Sequence, residues 1–233
     1  MQVEKALEHI ASIEPAVVER YVRYLKHIAP ESTEEYFRRW LFSYASVHTS
    51  WKLNCQMYQQ LEGLQWLHDK EALHRRIVDS RAGFHNRRTD YIHEFSEFFW
   101  QHPDWFRKSK HEGWQEYRKR LQEAAMGIGR AKSSFVIELT HYDASQVICT
   151  DTHVLQLYGF TAKQINGGGI AEKAADKIED HWTTCCRAHN VPPVVARWIY
   201  WDRKQGHADS RYWSFVLEKE NYNVRLAKLA SAA

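Results

Sequence analysis

The chain has 233 residues, 44% hydrophobic and 14% aromatic, which supplies core for one compact domain or two packed lobes and excludes a disordered or low-complexity chain. Lys and Arg number 32 against 29 Asp and Glu, a net charge of +3, so no global basic field announces nucleic acid and local clusters must carry any such affinity. Cys55, Cys149, Cys185 and Cys186 form no C-x-x-C pair, which favours reduced thiols in a cytoplasmic setting over a disulfide framework.

The first fifteen residues, MQVEKALEHIASIEP, carry charges throughout and hold no apolar run, which predicts no membrane entry. Val3 to Ile13 and Pro15 to Ile28 read as two short helices, the second opened by a proline suited to a first helical turn. Ser32-Thr33-Glu34-Glu35 has the capping-box form S-x-x-E and launches the apolar pattern Tyr36, Phe37, Trp40, Leu41, Tyr44, Val47. A further helical pattern covers Leu61 to Asp79, with Gly83 as its stop. From Tyr91 to Phe106 seven aromatic residues recur at spacings of three and four, a core stripe broken by Pro103. A polar loop over Arg107 to Gly113 and a helix over Trp114 to Ala125 follow. In the C-terminal part, Gly167-Gly168-Gly169 reads as a linker, Ala171 to Ala188 as an amphipathic helix, Val194 to Asp202 as another, and Tyr212 to Leu229 as a helix returning to the first ones. Few stretches alternate at period two, so the class is all-α.

The segment Met126 to Leu157, MGIGRAKSSFVIELTHYDASQVICTDTHVLQL, organises the rest. Gly127-Ile128-Gly129 is a tight bend feeding a helix through Arg130, Lys132, Phe135, Val136 and Leu139. Such a bend can aim several backbone N–H groups at one phosphate. About twenty residues on, Thr150-Asp151-Thr152-His153-Val154 starts another helix with a carboxylate at its first turn. By residue type alone Asp151 is a helix N-cap.

The Gly-hydrophobic-Gly bend followed at this distance by Asp-Thr-His-Val resembles the signature of the helix-hairpin-helix (HhH-GPD) DNA glycosylase superfamily. Tyr36 to Leu61 is similar to the first conserved helix pair of that superfamily, and Ser80 to Ile92, SRAGFHNRRTDYI, to its glycine, aromatic and basic segment. The resemblance covers roughly residues 36–159. It implies a two-lobed helical fold with a central cleft, 1–233 forming a single unit. Residues 30–160 would be the conserved core, with the hairpin at 126–132, and 1–29 and 160–233 would complete the second lobe. Residue by residue, it makes Asp151 the catalytic carboxylate and gives Gly127, Ile128, Gly129 and Arg130 the strand. The turn with Val47, His48 and Thr49 would enter or grip the duplex, where relatives place a glutamine, or is simply a capped turn between helices with Thr49 or Ser50 as N-cap. Arg87 and Arg88 are phosphate-contact candidates. Trp51, His141, Tyr142 and His153 line the base pocket by analogy, with core packing or helix-surface positions as the alternative for each.

Bifunctional relatives carry a lysine two residues after the second hairpin glycine. Here that position is Ala131 and the lysine is Lys132, turned by about 100° on a helix. The nucleophile's role therefore does not pass to it, and water attacks in any glycosylase reaction. Lys132 faces the cleft as a phosphate or leaving-base contact, or is a solvated surface residue. The displaced register G-h-G-x-x-K resembles phage-encoded members linked to thymine hypermodification.

Three readings follow. The first is a monofunctional N-glycosylase that everts a modified pyrimidine from double-stranded DNA. The second is a phage transferase that joins a small amine to pyrophosphorylated 5-hydroxymethyluracil in DNA, with Lys132 holding the departing pyrophosphate. The third is a noncatalytic DNA-binding module. No metal is expected, since the fourteen histidines are scattered, and no iron–sulfur cluster or other cofactor. The remaining expectations are a monomer and a cytoplasmic location in a bacterial or phage-infected cell.

Overall fold

A computed structural model of the chain describes residues 2–166, 170–207, 210 and 212, and all regular structure among them is helical. The order is α1 (Glu4–Ala11), α2 (Pro15–Ile28), α3 (Thr33–Ala45), α4 (Trp51–Leu61), α5 (Lys70–Asp79), α6 (His85–Gln101), a 3-10 turn (Pro103–Phe106), α7 (Trp114–Ala124), α8 (Arg130–Thr140), α9 (Thr152–Leu157), α10 (Ala162–Asn166), α11 (Glu172–Ala188) and α12 (Pro193–Lys204). Helices start where short polar side chains or prolines satisfy the first turn. Ser32 and Glu35 cap each other's backbone at α3, the Ser50 side chain accepts from Leu53 N–H at α4, and Asp69 accepts from Ala72 N–H at α5.

Two expected boundaries move. The pattern over Leu61 to Asp79 is not one helix: residues 62–69 are turns, with Leu64 at φ +52°, because Asp69 caps a new helix there. The same helix ends at Asp79, before Gly83. Arg81 already adopts a left-handed φ of +58°, Gly83 follows at +74° and Phe84 at +53°. The Gly167 to Gly169 linker lies outside the described residues. So does the expected helix from Tyr212 to Leu229, Tyr212 excepted.

The chain divides into two units: one of Met1–Ala29, Tyr142–Ala144 and Thr152–Ala233, the other of Pro30–His141 and Ser145–Asp151. In the second, α3 is the central helix and packs on α4, α6 and α8. Nine of its thirteen residues are buried. Phe37 stacks on Phe95 with centroids 5.7 Å apart, and Trp40 lies 5.0 Å from Phe95 and 5.5 Å from Phe106. Each such ring contributes about 1.5–3 kcal/mol on burial, so this cluster fixes how α3 faces α6. The aromatic stripe is not uniformly core: Phe95, Phe99 and Phe106 are buried, while Trp100 and Trp105 are exposed. In the first unit α11 packs on α1 and α12, and α12 on α2 and α9. The Tyr21 hydroxyl donates to the buried Asp202 carboxylate at 3.0 Å, and Trp182 Nε1 donates to Pro193 O at 3.0 Å.

Candidate functional site

The hairpin is built by glycine geometry. Gly127 sits at φ +80°, and a Cβ there would lie 2.7 Å from Tyr91 Cε2 and 3.1 Å from its Cγ, so the position excludes side chains twice over. Ile128 is buried and anchors the bend from below. Tyr44 Oη donates to Met126 O at 3.0 Å, tying the approach to α3. Gly129 is extended and serves as the α8 N-cap with no side-chain bond, and space around it is open. The N-terminus of α8, where Lys132 N–H and Ser133 N–H both donate to Gly129 O at 3.0 Å, thus opens beside Gly129, and the helix dipole favours an anion there.

The other end of α8 sets the loop that delivers the carboxylate. Glu138, fully buried, accepts the backbone N–H of Cys149 at 2.7 Å. Val147, Ile148, Cys149 and Thr150 are buried as well, the Ser145 hydroxyl donates to Val147 O at 2.7 Å, and Asp151 N–H closes on Cys149 O at 2.9 Å. Asp151 is half-buried and stands immediately before α9. It is the last residue of the second unit, so the chain leaves that unit at this carboxylate.

Lys132 and Trp51 fall on one row of rings. The Lys132 amine lies 5.7 Å from the centre of the Phe135 ring, Phe135 is 6.1 Å from Phe42, and Phe42 meets Trp51 edge-on at 5.9 Å. The Lys132 carbonyl accepts from the Ser43 hydroxyl at 3.1 Å.

Arg88, expected at a phosphate, points inward instead. Only 7% exposed, its guanidinium donates to Gly83 O at 2.9 Å, to Tyr44 O at 3.1 Å and to Val47 O. The planar fork ties the turn after α3 to the turn before α6. Burial lowers its pKa from the ordinary guanidinium value. Arg87 next to it is exposed and keeps its candidacy. Both turns that Arg88 holds carry strained backbone: His48 has φ +49° and Phe84 has φ +53°. Their rings meet at 6.3 Å, and Phe84 is 64% exposed. Left-handed non-glycine residues cost about 1–3 kcal/mol each and persist where the surroundings over-determine them. Phe84 was not singled out from sequence. Its signal was an aromatic residue in a polar turn, SRAGFHNRR, with no apolar periodicity to claim it. Thr49 bonds back to Ala45 O at 2.8 Å and Ser50, not Thr49, caps α4.

The four base-pocket candidates are divided between the two units by sequence position. Trp51 and His141 belong to the second unit, Tyr142 and His153 to the first. His141 ends α8 with its Nδ1 2.8 Å from the Thr140 hydroxyl and its ring edge-on to Trp114 and Tyr117. Burial, then Asp143, raises the Tyr142 pKa. The Gln205 side-chain nitrogen lies 2.8 Å from His153 Nε2. Among the described residues no group of three His, Cys, Asp or Glu side chains is placed to hold a metal, and no helix is long and apolar enough to cross a membrane.

This architecture is the helix-hairpin-helix DNA glycosylase fold. The 8-oxoguanine DNA glycosylase of Thermotoga maritima superposes with a TM-score of 0.68 at 19% identity, covering 90% of this chain and 100% of that one. The Methanocaldococcus jannaschii 8-oxoguanine DNA glycosylase gives 0.68 at 18%, covering 88% and 94%. The M. jannaschii 8-oxoguanine glycosylase/lyase in complex with a 15mer DNA containing 8-oxoguanine gives 0.66 at 16%, covering 89% and 99%. No protein-family model matches the sequence, and no curated protein is significantly similar to it.

Proposed function

We propose that the protein acts on bases in double-stranded DNA as a monofunctional N-glycosylase, with Asp151 as its catalytic carboxylate. The observation that carries this reading is the near full-length likeness to three DNA glycosylase structures, with an Asp-Thr-His-Val turn ending an anchored loop. Cleaving an N-glycosidic bond builds positive charge on the deoxyribose, and a carboxylate there stabilises that charge or takes a proton from the attacking water. The α8 N-terminus at Gly127 to Arg130 grips a phosphate of the bent strand, and Arg87 adds a second phosphate contact. His48 and Phe84, presented together by Arg88, form the wedge that opens the stack while the target nucleotide is everted.

Ala131 offers no amine at the bifunctional position, so the product is an abasic site in an unbroken strand. A modified pyrimidine is the proposed target, and the protein works as a monomer. The test is single-turnover release from duplexes that each carry one 5-hydroxymethyluracil, uracil or 8-oxoguanine, with strand cleavage scored before and after alkali. Asp151→Asn is expected to slow release by about 10²–10³-fold with duplex affinity retained. An Asp151→Asn protein as active as the wild type would refute the mechanism. Lys132 in its displaced register favours one second reading, transfer of an amine to pyrophosphorylated 5-hydroxymethyluracil DNA. Nucleosides in which the amine has replaced the pyrophosphate on the 5-methylene carbon, with the sugar linkage kept, would establish that reading, and unaltered nucleosides would dismiss it.

A further inference from the structure

We infer that Glu138 is a positioning residue for the Asp151 carboxylate, and that α8 works as a ruler between the strand grip at one end and the acid at the other. The inference rests on the glycosylase reading above.

Glu138 has no solvent exposure and lies on the inner face of α8. Burying a carboxylate is costly unless hydrogen bonds and charge satisfy it, and an apolar residue of the same size would fill the space at less cost. Ser134, one turn before it on the same helix face, accepts from the buried Arg118 guanidinium at 3.2 Å. Cationic charge therefore stands one turn away from Glu138.

The Glu138 Oε1 atom accepts the N–H of Cys149 at 2.7 Å, the short length of a charge-assisted bond. The carbonyl of that same Cys149 accepts from Asp151 N–H at 2.9 Å. One residue thus links the carboxylate on α8 to the backbone of the proposed acid, and two hydrogen bonds separate them. From Gly129 to Glu138 is nine residues, about 13.5 Å of rigid helix. The phosphate-facing bend and the anchor of the Asp151 loop are therefore held at a fixed separation by one element. A loop released from this anchor keeps its apolar residues but not its register, and a misplacement of about 1 Å at a reacting group costs on the order of 10²-fold in rate.

The test compares Glu138→Met, of similar volume with only a weak thioether acceptor, with Glu138→Gln, which keeps a carbonyl acceptor for Cys149 N–H. Single-turnover base release is measured well below the melting temperature, on the duplex the wild type processes. Duplex affinity and amide hydrogen exchange at Cys149 are measured alongside. Glu138→Met is expected to slow release by about 10–100-fold, to leave duplex affinity within a factor of two or three, and to speed exchange at Cys149. Glu138→Gln is expected to stay within about 5-fold of wild type. A residue with a merely structural role would lower the melting temperature and leave the rate of the folded fraction unchanged. Wild-type release by Glu138→Met, with Asp151→Asn inactive, overturns this inference and leaves the glycosylase reading standing. Full activity of Asp151→Asn, or no release by the wild type from any duplex of the set, overturns that reading and this inference with it. Should Glu138→Met not fold, Glu138→Gln decides alone: wild-type release despite Cys149 exchange as fast as in unanchored loops overturns the inference, and retained protection with near wild-type release, or release that slows as exchange quickens, supports it.

Discussion

Replacing Arg88 distinguishes a structural guanidinium from one that touches DNA. In Arg88→Met three backbone carbonyls, those of Gly83, Tyr44 and Val47, lose a cationic donor inside the protein. Each hydrogen bond to a charged group contributes about 1.5–3 kcal/mol, and losing all three is partly offset because no cation need be desolvated. Breaking buried charged networks from one side costs about 3–5 kcal/mol net. Partial relaxation of the left-handed His48 and Phe84 returns roughly 1 kcal/mol of their strain, so a loss of about 3 kcal/mol is expected. For a chain of this size, at about 2–4 °C per kcal/mol, the melting temperature falls by about 10 °C, read by far-ultraviolet circular dichroism. Arg88→Lys recovers only part of the loss, because an ammonium cannot fork to carbonyls on two turns. Duplex affinity should weaken as the His48 and Phe84 turns lose their brace, while the slope of log affinity against log salt stays at the wild-type value. A phosphate-contacting arginine does the reverse: the slope falls by about 0.9 and stability is untouched. That result for Arg88→Met would assign the guanidinium to DNA instead of to the two turns.

Gly127→Ala and Gly129→Ala should part company in urea denaturation. The first meets both a left-handed φ and the Tyr91 ring and loses roughly 2–3 kcal/mol, whereas the second, extended with open space, stays within about 0.5 kcal/mol; equal losses would contradict the geometry. His9 gives the pH dependence of the first unit. Burial, with a contribution from Arg203, lowers its pKa from 6.5 to about 4, against a raising effect of its bond to Ala196 O. The folded state then binds fewer protons than the unfolded one between those values, so stability is full above pH 6.5 and declines by up to about 3 kcal/mol as pH falls to about 4. His9→Gln should flatten that decline, and a His9 imidazole titrating near 6.5 by proton NMR would rule the account out.

The features legible in the sequence are those whose cause is local. A capping box at Ser32 and Glu35, a proline opening α2 and a glycine pair at the hairpin each announce themselves within four residues, because the atoms that need satisfying belong to the same turn. The spacing from hairpin to Asp151 was readable for the same reason: one helix and one short loop separate them. Arg88 was not readable, since its direction is decided by carbonyls more than forty residues earlier, and a basic cluster looks alike whether it faces water or core. Phe84 carries only the weak signal of an aromatic residue in a polar turn, because a left-handed backbone at a non-glycine residue adds no signature of its own. Glu138 reads as a polar interruption of an apolar helix, and its partner is a backbone N–H, which the sequence does not distinguish from any other.

The same hydrogen bonds decide what the displaced lysine can do. A helix free to rotate by one position could swing Lys132 to where a bifunctional enzyme keeps its amine. Here α8 and its approach are held at successive levels: Tyr44 on Met126 O, Ser43 on Lys132 O, Arg118 on Ser134, and Glu138 on Cys149 N–H. The Ser43 bond grips the lysine's own carbonyl, and the bent backbone at Gly127 fixes where the helix starts. Rotating α8 by about 100° would break all of these and drive the buried Val136 and Ile137 out of the core. Ala131 therefore keeps its position and Lys132 its own. In the proposed reaction the amine takes no part as nucleophile, and attack falls to water.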